Sequence, residues 1–490
     1  MSTSNPTRLR FSRRSLLAGM AAAGAVSSLP RAVRAAEASE VIVIGAGLAG
    51  LYSALLLEEQ GVKVTVLEAN NRFGGRLYTP KAKDGVLIDV GGVTVGSFYG
   101  RVRNMVETLG VGYADERNTP PSAMANYING KLVGMKDWVK SDANKTVGAE
   151  RGIPPGALEF ALFQKFNPIK TLEDWRSPEL AAFDIPAGEF MRKNGVSDEA
   201  IRLMNYSSNV QDMWSSSALN TLRDVYRFQQ DVEQGKARGM FDGGAGSNII
   251  KTGSEMLPKA MAKKLKTEIR LNSPVTAIRH VDGGKKVEVT TQNQKTYKAD
   301  YVVLALPLYA LRRIDIDPPF EGPMADAVQN TVMSATTQIM FRIKDKFWEQ
   351  DGLEPALYTD TIIERVFFRK TQSGEDILNL WVNGTGAENF DRIPENYAMQ
   401  FALDLINRIR PSTKGKIEPI LYYSWGNNPW VGGNRHVYNA GQVMRFAGAI
   451  GQVHHRLHMA GEHTRVSDPG MEAAMASAER VVTEILDRDG

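Results

Sequence analysis

A glycine turn between a strand-prone run and a helix-prone run constrains this chain more than any other feature. Val41 to Ile44 are four consecutive strand formers, Gly45-Ala46-Gly47-Leu48-Ala49-Gly50 follows, and LYSALLLEEQG then reads as a helix. A second apolar strand, Val62 to Leu67, delivers Glu68 eighteen residues after Gly50. Strand, turn, helix, strand and acid, in that order, describe a βαβ unit built to hold a dinucleotide. Gly45 permits the tight turn, Gly47 lets the backbone approach a pyrophosphate, and Gly50 allows close helix packing. The helix start offers free N–H groups and a positive dipole end to the anion, and Glu68 is placed to bind ribose hydroxyls.

The stretch LEANNRFGGR, Leu67 to Arg76, narrows the choice of dinucleotide. An NAD fold has no need for Arg72 four residues after the acid, nor for Gly74-Gly75-Arg76 after that. Glu-x-x-x-Arg-x-Gly-Gly-Arg resembles the second fingerprint of the flavin-containing amine oxidases, the family of monoamine oxidases and L-amino-acid oxidases, and of their phytoene-desaturase-like relatives. The resemblance implies FAD contacts from Gly45, Ala46, Gly47, Leu48, Ala49 and Gly50, then from Glu68, Ala69, Arg72, Gly75 and Arg76. Asp89-Val90-Gly91-Gly92 looks like the family's next flavin loop, which adds Gly91, Gly92 and Val93.

The resemblance continues in order. A strand-turn-strand segment leads into Asp300-Tyr301-Val302-Val303-Leu304-Ala305-Leu306-Pro307, a buried strand stopped by proline. In the family the backbone of a residue like Val275 meets the adenine. Near the C-terminus, Ala460-Gly461-Glu462 and the helix opening Gly470-Met471-Glu472-Ala473 match the motif that contacts the ribityl chain and flavin, implicating Gly461, Glu462, Gly470, Met471 and Ala473. The implied fold is α/β: an FAD-binding Rossmann-like domain of the glutathione-reductase type with an inserted α+β substrate domain. The cofactor domain is expected over 39–96, 240–313 and 440–490. The substrate domain is expected over 97–239, mainly helical, and over 314–439, β-rich.

Residues 1–38 read as an export signal. Ser12-Arg13-Arg14-Ser15-Leu16-Leu17 places paired arginines before a short Ala/Gly-rich apolar run, which resembles a twin-arginine signal peptide. The twin-arginine machinery is then a partner, and the periplasm the destination. These residues also carry six arginines and one glutamate, so the formal +4 of the whole chain becomes −1 without them. That balance gives no reason to expect nucleic acid. The chain has no cysteine, which excludes disulfides, thiolate metal sites and a cysteinyl flavin bond, so FAD is expected to be noncovalent. No histidine spacing suits a metal, and none is expected; His454, His455 and His458 read as solvent-facing near a turn. The sequence does not decide between a monomer and a homodimer.

The family oxidises the C–H bond beside an amine nitrogen to an imine, which water hydrolyses to a carbonyl compound and ammonia or a smaller amine. With O2 as acceptor the other product is H2O2. Three positions depart from its pattern. The strand around Thr337 to Met340 matches the one whose lysine holds a water under the flavin N5, and Gln338 stands there. The family's two cage aromatics fall at Arg435 and Gly470, leaving Trp430, Tyr438 or Trp425 as replacements. Arg435 is expected to reach the pocket and pair with a substrate carboxylate. Gln338, Arg435 and Trp430 are therefore the candidate catalytic residues. The arginine of L-amino-acid oxidases aligns near Thr94, so that site is missing here.

The sequence supports an exported FAD-dependent oxidase of a small amine. The rivals are an L-amino-acid oxidase, a dehydrogenase passing electrons to a periplasmic carrier instead of O2, and a flavoprotein that binds ligand without turnover.

Overall fold

The computed structural model describes residues 39–96, 98–118, 123–237, 247–468 and 470–488. The export signal expected over 1–38 lies outside the described residues.

Strand Glu40–Ile44 is the centre of a five-stranded sheet in the order Leu457–Met459, Tyr301–Leu304, Glu40–Ile44, Lys63–Leu67, Ile269–Arg270. All four pairings are parallel; Val41 lies beside Tyr301 on one side and Val64 on the other. A parallel sheet is covered on both faces, which explains why EVIVI and YVVL are nearly continuous apolar runs. Helix Leu48–Glu59 covers one face and packs against the terminal helix Gly470–Arg488. Three separated chain segments thus share one core that includes Val43, Leu51, Val303 and Val481.

The segments expected to form the substrate domain build a seven-stranded sheet in the order Ile417–Ser424, Thr336–Ile343, Asp376–Asn383, Arg365–Lys370, Leu357–Thr359, Ala125–Ile128, Lys131–Val133. Two of its strands come from the segment expected to be mainly helical, because Ala125–Ile128 pairs in parallel with Leu357–Thr359. The boundary at residue 97 also shifts. Helix Gly100–Thr108 packs its Val102, Met105 and Val106 into the cofactor-domain core. Its unsatisfied N-terminal amides are capped from that domain: the Glu472 carboxylate accepts from Arg101 N (3.0 Å) and Val102 N (3.2 Å). Helices Pro155–Lys165 and Ala218–Ala237 pack together beside this sheet.

His458 departs from the expectation of a solvent-facing turn. It lies in strand Leu457–Met459, fully buried, with Nδ1 3.0 Å from a Glu484 oxygen. The strand adds an edge to the parallel sheet, and the terminal helix carrying Glu484 covers it.

Candidate active site

The glycine turn is built by backbone crowding. Gly45 has φ +102°, and a Cβ there would lie 2.5 Å from the Ala305 carbonyl oxygen; at Gly50 it would lie 1.9 Å from the Gly45 carbonyl oxygen. Strand Tyr301–Leu304 and the turn itself therefore exclude side chains at both positions. Gly47 differs. Its backbone is extended (φ −78°, ψ −176°), and the atom nearest to a methyl added there is the Gly75 Cα at 3.8 Å. No described protein atom requires glycine at 47. The helix that follows has neither a side-chain cap nor an acid in its first turn, so its leading N–H groups remain available to a ligand.

A cavity of about 450 Å³ runs along this turn. One end is lined by Glu68, Ala69, Ser273, Pro274 and Val275, the middle by Gly45, Gly47, Leu48, Ala49, Gly75 and Arg76, and the other end by Gly92, Tyr99, Arg435, Gly461, Glu462, His463, Gly470 and Met471; Trp430 also lines the cavity. An acid, a glycine turn with free amides and a glycine-lined far end form one continuous wall, and these residues fit an adenine-linked flavin.

Glu68 braces the turn while facing the cavity. Its Oε2 accepts from Ala46 N at 2.7 Å and its Oε1 from Asn70 N at 2.9 Å, and burial raises its pKa above the ordinary value. Each carboxylate oxygen keeps a lone pair for a ligand hydroxyl. Arg72 lines the cavity, but its guanidinium donates to the carbonyls of Gly75 (2.7 Å), Phe73 and Leu77 and lies over the Tyr78 ring. It holds the GG turn in shape. Arg76 reaches across to the C-terminal segments, donating to Asn434 O (2.9 Å) and to Glu462 (3.3 Å).

Several expected contact residues stand back from the cavity. Ala46, Gly50, Gly91, Val93 and Ala473 do not line it. Ala473 is buried inside the terminal helix, and Ala474 lines the cavity in its place. Gln338, expected beneath the flavin N5, is fully buried, does not line the cavity, and donates from Nε2 to Val90 O at 2.6 Å. It sits in an inner strand of the sheet in which six of eight residues are buried. Of the cage replacements, Trp430 lines the cavity, whereas Trp425 and Tyr438 are buried behind it. Tyr99, which carries no sequence motif, lines the cavity beside Gly470, with its phenol oxygen 3.4 Å from the Cβ position of Gly470. The ring fills space that the missing side chain at 470 leaves.

Arg435 lines the cavity, but an acid already holds it. Its guanidinium pairs with Asp224, on helix Ala218–Ala237. Arg465 joins the same carboxylate at 3.1 Å and approaches Glu462 at 3.6 Å; Arg223 stands 3.3 Å from Asp224. Four guanidinium groups, of Arg76, Arg223, Arg435 and Arg465, face two carboxylates, a surplus of two positive charges among these six groups; the Glu159 carboxyl, whose pKa burial raises, also lies within electrostatic reach of Arg435 and Asp224. Despite burial, Arg465 and Arg76 pull Glu462 down to about 2, and Asp224 lies well below the ordinary range because of Arg465 and Arg435. Burial pushes Arg223 down to about 10; its Nη1 and Nη2 have no hydrogen-bond partner among the described residues, and its guanidinium lies 4.4 Å from the Trp175 ring centroid.

Burial also keeps two histidines neutral. His463 falls from 6.5 to about 4, and His436 lies well below its ordinary value. The unfolded chain takes up these protons below about pH 6.5 while the folded chain refuses them, so stability falls as pH drops from about 6.5 toward 4. His463 alone accounts for up to about 3 kcal/mol of that loss. The pair held by Glu462 weakens at lower pH, from about 4.5 toward 2. Urea denaturation at pH 7, 5.5 and 4.5 is expected to give a falling midpoint, and His463→Gln to flatten the fall.

The comparisons agree with this geometry. The family model for flavin-containing amine oxidoreductases matches residues 48–486. An L-amino-acid oxidase of Siganus canaliculatus is 24% identical over 469 residues, covering 91% of this chain and 85% of that protein. A flavin-containing amine oxidase A of Sus scrofa is 24% identical over 484 residues, covering 94% and 87%. Among solved structures, the cyclohexylamine oxidase of Brevibacterium oxydans has a TM-score of 0.74 at 20% identity, covering 92% of this chain and 99% of that one. A putrescine oxidase bound to putrescine has the same TM-score and coverage at 18% identity. With a family match over nearly its whole described length, the chain belongs to the flavin-containing amine oxidoreductases, enzymes that oxidise amines with a bound flavin.

Proposed function

We propose that this protein is an exported enzyme that holds FAD without a covalent bond and oxidatively deaminates a small amine. The observation carrying this reading is the single cavity joining Glu68 and Val275, through the glycine turn, to Tyr99, Trp430 and Arg435. The absence of cysteine supports a noncovalent cofactor, and the paired arginines near the N-terminus support export to the periplasm by the twin-arginine route. Bound flavin supplies the two-electron acceptor.

The chain's own residues set the state of the amine. Tyr99 and Trp430 add apolar surface to the cavity wall, which disfavours the charged ammonium. The surplus positive charge around Arg435 and Arg465 works in the same direction, and both effects favour the neutral amine that the oxidation requires. In the middle of the flavin site, the amides of the helix start neutralise a pyrophosphate.

A second reading has its own support. The same surplus, at the end where Arg435 lines the cavity, suits a substrate with a carboxylate, as in an amino acid. Anaerobic titration of the yellow protein separates the readings. Bleaching by simple amines supports the first, and bleaching confined to amino acids supports the second. Protein that stays yellow with every compound is a binder without turnover. Fast recovery of colour in air assigns O2 as acceptor, with H2O2 formed; slow recovery assigns a periplasmic electron carrier. A colourless protein that refuses added FAD sinks both readings.

A further inference from the structure

The loop Asp89–Gly92 joins the cofactor cavity to the seven-stranded sheet, and it is held at every residue. The Asp89 carboxylate accepts from Thr79 Oγ1 (2.6 Å), Ser254 N (2.8 Å) and Gln372 Nε2 (2.6 Å). The Val90 carbonyl accepts from Gln338 Nε2 at 2.6 Å and from Trp425 Nε1 at 2.7 Å. A Cβ on Gly91 would lie 1.9 Å from the Arg76 carbonyl oxygen, and Gly92 N donates to that same oxygen at 3.0 Å. Gly92 lines the cavity.

Both lone pairs of the Val90 carbonyl are thus taken by side chains of neighbouring strands of the seven-stranded sheet. Gln338 lies in Thr336–Ile343, and Trp425 directly follows Ile417–Ser424, where its own N–H donates to Thr336 O at 2.9 Å. Gln338, Trp425 and Val90 are each no more than 1% exposed, so water does not replace either donor. In a trans peptide the next N–H points opposite to the carbonyl. The Gly91 N–H is therefore directed away from the sheet, and it has no acceptor among the described residues.

We infer that Gln338 and Trp425 form a two-donor clamp on Val90 O that sets the loop through Gly91 so that Gly92 lies against the bound flavin. Gln338 is then a positioning residue that acts on the cofactor through the loop, without touching it. The inference rests on the flavin-binding reading above.

The test removes the donors one at a time and together, using Gln338→Met, Trp425→Phe and the double variant of the full-length protein. FAD affinity is measured by titration, and the environment of the bound flavin by visible circular dichroism. While one donor remains the carbonyl stays satisfied, so each single variant is expected to raise the Kd for FAD about threefold; with both gone an orphan carbonyl is buried, and the double variant is expected to lose about a hundredfold or more, well beyond the product of the singles. The visible circular dichroism is expected to change in both singles, and kcat to fall at nearly constant KM. Independent effects that simply multiply would overturn the clamp. So would singles whose Tm falls while Kd and circular dichroism stay at wild-type values, since that marks packing alone. If the double variant does not fold, the singles decide by their Kd and circular dichroism. Wild-type protein that fails to take up FAD would instead refute the flavin-binding reading itself.

Discussion

A Gly47→Ala chain is expected to keep its fold and lose its flavin. The new methyl would sit 3.8 Å from its nearest protein neighbour, an ordinary contact, on a backbone that any residue adopts. The apoprotein is therefore expected to unfold at the wild-type urea concentration. The methyl enters the cavity where the free helix amides face the ligand, and loss of that close approach is expected to weaken FAD binding about a hundredfold, roughly 2.7 kcal/mol. Gly50→Ala serves as the contrast. Its Cβ would lie 1.9 Å from a backbone oxygen, so stability and FAD binding are expected to fall together. If Gly47→Ala bound FAD as tightly as wild type, the turn would be an ordinary strand-to-helix connection, and the cavity would not hold a pyrophosphate there.

Asp224→Asn is expected to be the most destabilising conservative change outside the glycine turn. The substitution keeps the shape and removes the one charge shared by Arg435, Arg465 and Arg223. The surplus of positive charge rises from two to three in a largely enclosed site. Breaking a buried pair from one side costs about 3–5 kcal/mol; because Asp224 and Arg435 keep some solvent exposure, about 2–3 kcal/mol is expected here. Urea denaturation of the FAD-loaded protein measures it. Two signatures identify charge as the cause. Adding Arg435→Leu to Asp224→Asn is expected to restore part of the lost stability, whereas two unrelated defects would add. Acetate is expected to stabilise Asp224→Asn more than wild type, because a small carboxylate takes the vacated role. Additive losses with no acetate response would show that the cluster is held by packing.

The cofactor half of the site was legible because its requirements are local and fall on the backbone. Gly45 and Gly50 are dictated by atoms within one turn and one neighbouring strand, and the apolar runs 41–44 and 301–304 follow from a parallel sheet covered on both faces. The substrate half was not. Its decisive pairs lie far apart in the chain: Gln338 meets Val90 across 248 positions, and Arg435 meets Asp224 across 211. Nothing in the alternation of Thr336 to Ile343 says where Gln338 points, since six of those eight residues are buried and both faces are covered. Tyr99 gave no motif at all. It lines the cavity because helix Gly100–Thr108 docks on the Glu472 carboxylate and carries its leading residue to Gly470.

By itself the sequence determined the βαβ unit and the family of flavin-dependent enzymes to which the chain belongs, because turn sterics and strand periodicity are properties of neighbouring residues. Only the tertiary structure decided that Gln338 turns away from the cavity to clamp a loop, that Arg435 already has an acid, and that Tyr99 fills the space beside Gly470. Side-chain direction within a doubly covered sheet, and the pairing of charges some two hundred residues apart, are set by packing of whole elements, which no local pattern records.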